Sequence, residues 1–302
     1  MLHLEYIKQI AREVGFDLCG VAKCSHFEGD RAFLEGWIER GYGSSLEYLK
    51  RNIDRRSDAS TLVEGAKSVI VCGVAYKNHI SEGYPEGHRA KVASYACTTD
   101  YHLTIKQMLF ELGKRLKEHC PDISARCFVD SAPIFEKRYA VEAGLGWIGR
   151  QSLVVTPQFG SFVLLGEIVT SEVCDHYDKP LETVGCGECR RCVEACPNCA
   201  VKERHIDTSR CISCATIERL GEGEKAPLYG WIFGCDECQT VCPYNRKAPR
   251  VTNPRFAPIF NPVEMTSEEW LSLSKEEFAE RFGGTPLERA GIERIKANVE
   301  KN

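Results

Sequence analysis

The sequence predicts a layered α/β (α+β) domain over residues 1–177, a small cysteine-rich module over 178–258 and a short helical C-terminal tail over 259–302. Helical and β-rich segments alternate in the first part, as expected for layered α/β packing. Ten of the 17 cysteines fall between residues 186 and 242. Because 302 residues exceed the length of one typical domain of about 150 residues, a division of the chain is expected.

Individual segments carry the α/β prediction. Apolar residues at helical spacing predict a first helix from Leu4 to Val14, which Gly15 ends. Further helices are predicted over 30–41, 102–118 and 133–144, and strands over 15–22, 67–76 and 124–130. LVVT (153–156) and SFVLLGEIVT (161–170), separated by PQFG, predict a hairpin. In the tail, SEEWLSLSKEEFAERF and PLERAGIERIKANVEKN predict two helices separated by GGTP.

Composition and charge exclude several classes of protein. Hydrophobic residues make up 43% and charged residues 27%, which excludes a disordered tail protein. The formal net charge of −4 excludes a globally basic nucleic-acid binder. The longest apolar runs are shorter than the roughly 20 residues that span a bilayer, and Glu5, Lys8 and Arg12 interrupt any secretory signal. We therefore expect a cytoplasmic protein without a membrane partner.

The cysteine-rich module contains a motif typical of two-cluster ferredoxins. CGECRRCVEACP, from Cys186 to Pro197, has the spacing C-x2-C-x2-C-x3-C-P, in which three thiolates bind one cluster and the fourth reaches the other. Zinc is the alternative, since paired cysteines also form tetrahedral sites. Four thiols within eleven residues, closed by proline, favour iron–sulfur clusters over zinc.

A second partial run, CDECQTVCP, supplies three more cysteines before Pro243. Crosswise pairing of the runs predicts a first cluster bound by Cys186, Cys189, Cys192 and Cys242. The second cluster then has Cys196, Cys235 and Cys238, and its fourth ligand is either Cys211 or Cys214 of RCISC. Cys199 is left without a predicted role.

The large domain contains no sequence typical of a nucleotide site. Neither G-x-G-x-x-G after a strand nor G-x4-G-K-[ST] occurs. The glycines of AGLGWIGR (143–150) follow a helix, so we interpret them as a tight connection. The domain must nevertheless hold whatever receives electrons from the cysteine-rich module.

Four motifs together resemble the epoxyqueuosine reductase family. They are FVDSAPIFEKRYAVEAGLGWIGRQSLVVTPQFGSFVLLGEI, CGECRRCVEACP, RCIS and YGWIFGCDECQTVCPYNR, and LKRNIDRRSD precedes them. The resemblance runs from about Gly43 to Asn245. It implies a cobalamin-binding catalytic domain, a ferredoxin-like module with two [4Fe-4S] clusters, and reduction of epoxyqueuosine at the tRNA wobble position to queuosine.

The resemblance also implies roles for particular residues. Asp130 would be the proton donor and would contact the cofactor. Arg56 and Cys97 would contact cobalamin, and Val154 and Thr156 would line the corrin. Cys211 would be the fourth ligand of the second cluster, so that Cys214 would not bind iron.

From its place after an apolar strand, we expect desolvation to raise the pKa of Asp130. The alternative is that Asp130 merely caps the following helix. His102 is interpreted as a structural histidine, because no D-x-H-x-x-G pattern surrounds it. Two other functions remain open: a reductive dehalogenase-like cobalamin enzyme, and an electron-transfer protein without its own chemistry.

The implied partners are the anticodon loop of tRNA and an external one-electron donor such as a flavodoxin or ferredoxin. YNRKAPRVTNPRF (244–256) combines four basic residues with Tyr244 and Phe256, a composition suited to RNA loops; Arg219 is a weaker RNA candidate. We expect a monomer. Many family members continue into a helical-repeat extension, so the resemblance implies a smaller RNA-facing surface here.

Overall fold

The computed structural model describes residues 1–43, 46–182, 184–218, 226–251 and 253–302. Arg219 lies outside these residues. The helices are α1 Leu4–Val14, α2 Glu28–Glu39, α3 Ile53–Ser57, α4 Tyr101–His119, α5 Glu136–Glu142, α6 Arg191–Glu194, α7 Ile212–Ile217, α8 Glu237–Thr240, α9 Pro243–Lys247, α10 Ser267–Ser272, α11 Lys275–Phe282, α12 Pro286–Ala290 and α13 Ile292–Glu300. The strands are β1 Leu18–Lys23, β2 Ser68–Ala75, β3 Lys91–Val92, β4 Ala125–Phe128, β5 Trp147–Ile148, β6 Val154–Val155, β7 Val163–Thr170 and β8 Trp231–Phe233.

A four-stranded antiparallel sheet in the order β1-β2-β7-β4 forms the centre of the large domain. Every residue of β2 is buried, as expected for a strand covered on both faces. Alternate strand residues divide between two cores. Ile70 and Ile168 pack with α1 and α4 on one face, whereas Val71 and Val169 pack with α5 on the other. The predicted α/β layering is confirmed.

The predicted hairpin between residues 153–156 and 161–170 is wrong. Both edges of β7 are already hydrogen-bonded, to β2 on one side and β4 on the other, so β7 has no free edge for β6. β6 pairs instead with β5. The predicted tight connection at AGLGWIGR is present: Gly144 has a φ of +71°, and a Cβ at Gly146 would lie 2.2 Å from the Val155 carbonyl oxygen.

The tail contains four short helices where the sequence predicted two. The first predicted helix divides into α10 and α11 because Ser274 and Glu277 form a capping box at the start of α11. The second divides into α12 and α13 at Gly291, whose φ of +75° is incompatible with a continuous helix. Trp270 and Phe282 of this tail are fully buried against Phe233 of β8.

A parallel pairing of β3 with β8 joins the large domain to the cysteine-rich module. Lys91 pairs with Trp231, and Val92 pairs with Phe233. Within the described part of the chain, no helix combines the length and apolar character needed to cross a membrane.

Candidate active site and cluster sites

The first set of predicted ligands comes together in the structure. The pKa of Cys192 is raised, first by burial and then by the neighbouring Cys186, Cys242 and Cys189 thiols. Cys242 lies near Cys186 and Cys189 in turn. These four thiols come from sequence positions up to 56 residues apart, so the fold itself assembles them.

The second set also comes together, and it includes Cys211. Burial raises the pKa of Cys211, and the nearby Cys196 raises it further. The same effects raise the pKa of Cys238, whose thiol neighbours include Cys211 and Cys196. Cys235 lies beside Cys238 and Cys211. Cys214 is buried one turn along α7, and its charge acts on Tyr48.

Backbone amides point at the thiols of both sets. The N–H groups of Ser213 and Cys214, at the start of α7, face the Cys211 sulfur and lower its pKa against the effect of burial. Those of Tyr244 and Asn245 act on Cys242 in the same way. Ala200 N–H donates to Cys196 Sγ over 3.2 Å. Hydrogen bonds of this kind stabilise thiolates and tune iron–sulfur clusters.

The cysteine sets are too widely spaced to surround one metal ion. Among the described residues, no group of three or more His, Cys, Asp or Glu side chains could hold a single ion. The assignment of the eight cysteines to two clusters therefore remains a prediction that rests on their grouping into fours and on the amides that face them.

A cavity of about 350 Å³ connects the second cysteine set to the large domain. Cys196, Cys211, Cys235 and Cys238 line it together with Tyr76, Tyr95, Tyr101 and Leu153. The ring of Tyr95 contacts those of Tyr76 and Tyr101, with centroids 6.4 and 5.9 Å away. A wider cleft of about 560 Å³ lies elsewhere, beside Arg89, and Asp130 is among the lining residues of neither cavity.

Tyr101 lines this cavity and is also hydrogen-bonded to Asp130. Its hydroxyl donates to Asp130 Oδ2 over 3.1 Å, and His102 Nε2 lies 2.8 Å from the same oxygen. Asp130 follows β4 with a φ of +54°, a backbone conformation that is uncommon for non-glycine residues and often marks functional sites. The Asp130 side chain is 52% exposed, so a substrate can reach it.

His102 reverses the expected shift in the pKa of Asp130. Burial alone raises this pKa, but the hydrogen bond and charge of His102 outweigh it, and the net pKa is lowered. The expected raised pKa is therefore wrong for this structure. Burial lowers the pKa of His102, but hydrogen bonds to Asp100 and Asp130 prevail and raise it to about 9. At neutral pH the structure therefore places an imidazolium between two carboxylates.

Arg289 adds a second positive charge from the tail. Its Nη1 lies 2.9 Å from His102 Nε2, and its charge lowers the pKa values of both Asp100 and Asp130. Asp100 caps the start of α4 and contacts His102 Nδ1 over 2.7 Å. The described residues thus hold a charged network in which α4, the end of β4 and α12 each contribute a side chain.

Comparisons with known proteins agree with this arrangement. A model described as epoxyqueuosine reductase QueG, DUF1730, matches residues 56–131, and a 4Fe-4S double cluster binding domain model matches residues 185–245. An epoxyqueuosine reductase of Cyclobacterium marinum is 37% identical over 98% of this chain and 96% of its own. One of Leadbetterella byssophila is 35% identical over 97% of this chain and 96% of its own. The chain belongs to the epoxyqueuosine reductase family.

Solved structures of epoxyqueuosine reductases have the same fold. The structure from Streptococcus thermophilus superposes with a TM-score of 0.85, at 26% identity, over 98% of this chain and 80% of the other. A second, with an epoxyqueuosine-modified tRNA stem loop, superposes with a TM-score of 0.84 at 27% identity over the same shares. The match at 185–245 contains all eight predicted cluster ligands and confirms a [4Fe-4S] double cluster domain.

The structure places the residues predicted for cobalamin in different surroundings. Arg56 is half-buried near Asp130, and its Nε has no hydrogen-bond partner among the described residues. Cys97 is fully buried in the core that includes β8. Val154 and Thr156 are also buried, and the cavity is lined by their neighbours Leu153 and Ser161 instead. Their roles in this epoxyqueuosine reductase remain predictions.

Part of the basic segment 244–256 makes contacts within the protein itself. Phe256 is fully buried in the main core, and Arg250 forms a bidentate ion pair with Glu82 over 2.6 and 2.8 Å. Phe256 is therefore unavailable for base stacking, whereas Arg250 is exposed and paired with an acid. Arg246 and Lys247 remain exposed at the end of α9.

Sequence reasoning missed much of the charged network. His102, interpreted from the sequence as a structural histidine, contacts Asp130 with its ring, a contact that the sequence did not predict. The run Asp100-Tyr101-His102 at a helix start was a usable signal, since all three side chains come together. Arg289 carried no signal, because 187 residues separate it from His102.

Proposed function

We propose that this chain reduces the epoxide of epoxyqueuosine at the wobble position of tRNA to queuosine. Electrons would pass through two [4Fe-4S] clusters to cobalamin. The observation that carries this proposal is the cavity that connects the second cysteine set to Tyr101, the hydrogen-bond partner of Asp130. Electron delivery and proton delivery would thereby meet in one place.

The reaction defines what the site must supply. Removing the epoxide oxygen as water breaks two C–O bonds, forms a double bond, and consumes two electrons and two protons. Cobalamin supplies low-valent cobalt as the reductant when bound. Tyr76, Tyr95 and Leu153 fit it, because they give the cavity aromatic and apolar walls suited to a flat ring.

The protein residues would handle the protons. Asp130, half-exposed beside the cavity, would protonate the epoxide oxygen. Its carboxylate receives a proton from His102, which holds one at neutral pH because its pKa is raised to about 9. Tyr101 fixes the orientation of the carboxylate through its hydroxyl. Arg289 supplies the second positive charge that balances the two carboxylates of the network.

The proposed partners follow from the reaction. The relative solved with a tRNA stem loop supports tRNA as the substrate carrier. Exposed Arg246 and Lys247 lie four and five residues after the first-set ligand Cys242 and would contact RNA phosphates. The wobble base would have to leave its stack to reach the cavity. An external one-electron donor would reduce the clusters of a monomeric, cytoplasmic enzyme.

A complementation experiment tests this function. The chain is expressed in a bacterial strain that lacks its own epoxyqueuosine reductase, with cobalamin supplied, and tRNA nucleosides are analysed by mass spectrometry. We expect epoxyqueuosine to disappear and queuosine to appear. Persistent epoxyqueuosine, with cluster-loaded protein present in the cells, would refute the proposal.

A further inference from the structure

Two glutamates close to Asp130, Glu136 and Glu167, have no role in the proposed reaction. Glu167 lies in the middle of β7 and is fully buried. Neither of its carboxyl oxygens has a hydrogen-bond partner among the described residues, and the same is true of Glu136 Oε1. A buried carboxylate without a donor is costly, so both side chains need a physical account.

The fold brings the two carboxyl groups together. Glu167 shares a face of β7 with Leu165 and Val169, which pack in the core that α5 covers. Glu136 is the first residue of α5, and its carboxyl lies within hydrogen-bonding reach of Glu167. Two ionised carboxylates can only accept hydrogen bonds. The pair is therefore satisfied only when one group is protonated and donates to the other.

The pair also adjoins the catalytic carboxylate. Glu167 pairs across the sheet with Phe128, two residues before Asp130. The backbone N–H of Asp130 faces the Glu136 carboxyl and lowers its pKa, and the charge of Asp130 raises the pKa of both glutamates. The pair and Asp130 thus belong to one contiguous set of acids at the end of β4.

The surrounding charges do not neutralise the pair. Lys137 is the nearest cation on α5, but its Nζ donates to the Ser152 carbonyl oxygen over 2.7 Å. Arg56 on α3 acts on Glu136 from a distance, and Tyr101 on α4 and Cys72 on β2 are the remaining titratable neighbours. Burial raises the pKa of Glu136 to about 7 and that of Glu167 well above its usual range.

We propose that Glu136 and Glu167 share one proton at neutral pH and are the second proton store of the site. This proposal rests on the proposed function, which consumes two protons per turnover. His102 supplies one through Asp130, and the glutamate pair supplies the other after the first has been used. The pair then takes up a replacement proton from solvent, because two ionised carboxylates would leave each other unsatisfied. Both glutamates act through Asp130, so they are positioning residues that do not touch the substrate.

Infrared spectroscopy of the cofactor-loaded protein without substrate tests the shared proton. At neutral pH we expect a protonated-carboxyl C=O band that shifts in D2O and is lost in both Glu167→Gln and Glu136→Gln. Glu142→Gln is the matched control: it lies on the same helix, pairs with Arg138 at the surface and should retain the band. If Glu167→Gln fails to fold, the loss or persistence of the band in Glu136→Gln decides whether the two glutamates share a proton.

Turnover of the same variants tests the supply role. We expect Glu136→Gln and Glu167→Gln to lower the turnover rate about 10-fold or more, with unchanged iron content, and the control to match wild type. Absence of the band in wild type, or its persistence in both variants, would overturn the shared proton. A lost band with unchanged turnover would overturn the supply role. Because the band is measured without substrate, failure of the proposed function leaves it readable.

Discussion

At the scale of single residues, the chemistry depends on which of two side chains, His102 or Asp130, holds a proton. The imidazole nitrogens of His102 contact Asp100 over 2.7 Å and Asp130 over 2.8 Å, so its charged form is favoured. The same contacts lower the pKa of Asp130. The resting site therefore stores the proton on His102 and keeps Asp130 ionised.

Asp130→Asn should abolish most turnover. The amide keeps the size of the side chain but cannot pass on a proton, so we expect a loss of about 10²- to 10⁴-fold. Iron content and corrin absorbance should remain those of wild type, because Asp130 belongs to neither cysteine set. Wild-type turnover in this variant, measured as queuosine formed from modified tRNA, would remove Asp130 from its proposed role.

His102→Asn should change the pH dependence of turnover. In wild type, the His102 proton is held below its pKa of about 9 and is lost as the pH rises through that value. Without the imidazolium, the pKa of Asp130 rises because only Tyr101 and Arg289 then oppose the effect of burial. The variant should then lose turnover at a lower pH than wild type. Superimposable pH–rate profiles would show that His102 does not hold the proton.

The sequence predicted Asp130 but not its environment. Asp130 could be found because it ends a strand within a family motif. The direction of its pKa shift could not, because His102 and Arg289 approach from α4 and α12 only after folding. Local patterns identify which groups can react, whereas long-range packing decides their charge.

At the scale of elements, the start of α7 separates two cysteines that the sequence left as alternatives. Cys211 is the N-cap residue of α7, where the backbone of Ser213 and Cys214 lowers the pKa of its thiol, whereas Cys214 lies inside the helix. A helix N-terminus stabilises a thiolate through its amides and dipole. Position on the element therefore favours Cys211 as the fourth ligand of the second cluster.

Cys211→Ser should lose one cluster and Cys214→Ser none. We expect iron to fall from about eight to about four atoms per chain in the first variant and to stay at about eight in the second. Iron determination with electron paramagnetic resonance on anaerobic protein measures both. The reverse pattern would assign the ligand to Cys214.

Elements with a strong local signal were predictable, and their partners were not. α1 begins and ends as predicted because its apolar spacing and Gly15 are local signals. The pairing of β6 with β5 depends on β7 having both edges occupied, which no local pattern reveals. Ser274 and Gly291, which divide the tail helices, were visible in the sequence but were outweighed by the amphipathic pattern.

At the scale of the whole molecule, stability and chemistry are linked through the buried glutamates. The folded pKa of Glu136 is raised from 4.5 to about 7 by burial. A group with a raised folded pKa stabilises the protein below its unfolded pKa, and this contribution is lost as the pH rises through the folded value. Folding stability should therefore decline between about pH 4.5 and pH 7 through this group.

Glu136→Gln should flatten that decline. The amide cannot ionise, so the thermal unfolding midpoint of the variant should depend less on pH across this window than that of wild type. Glu142→Gln, on the same helix, should keep the wild-type slope. Calorimetry or circular dichroism at several pH values measures the unfolding midpoint. If the midpoint depended equally on pH in all three proteins, the raised pKa would not belong to Glu136.

The central claim is that electrons from the cysteine-rich module reach the acid network of the large domain through one cavity. The most direct measurement is an anaerobic titration of cluster- and cobalamin-loaded protein with a one-electron reductant and epoxyqueuosine-modified tRNA. We predict two electrons consumed for each queuosine formed, and no product from Cys196→Ser, in which the second cluster is lost. Reduced clusters without product in wild type, or undiminished product from Cys196→Ser, would contradict it.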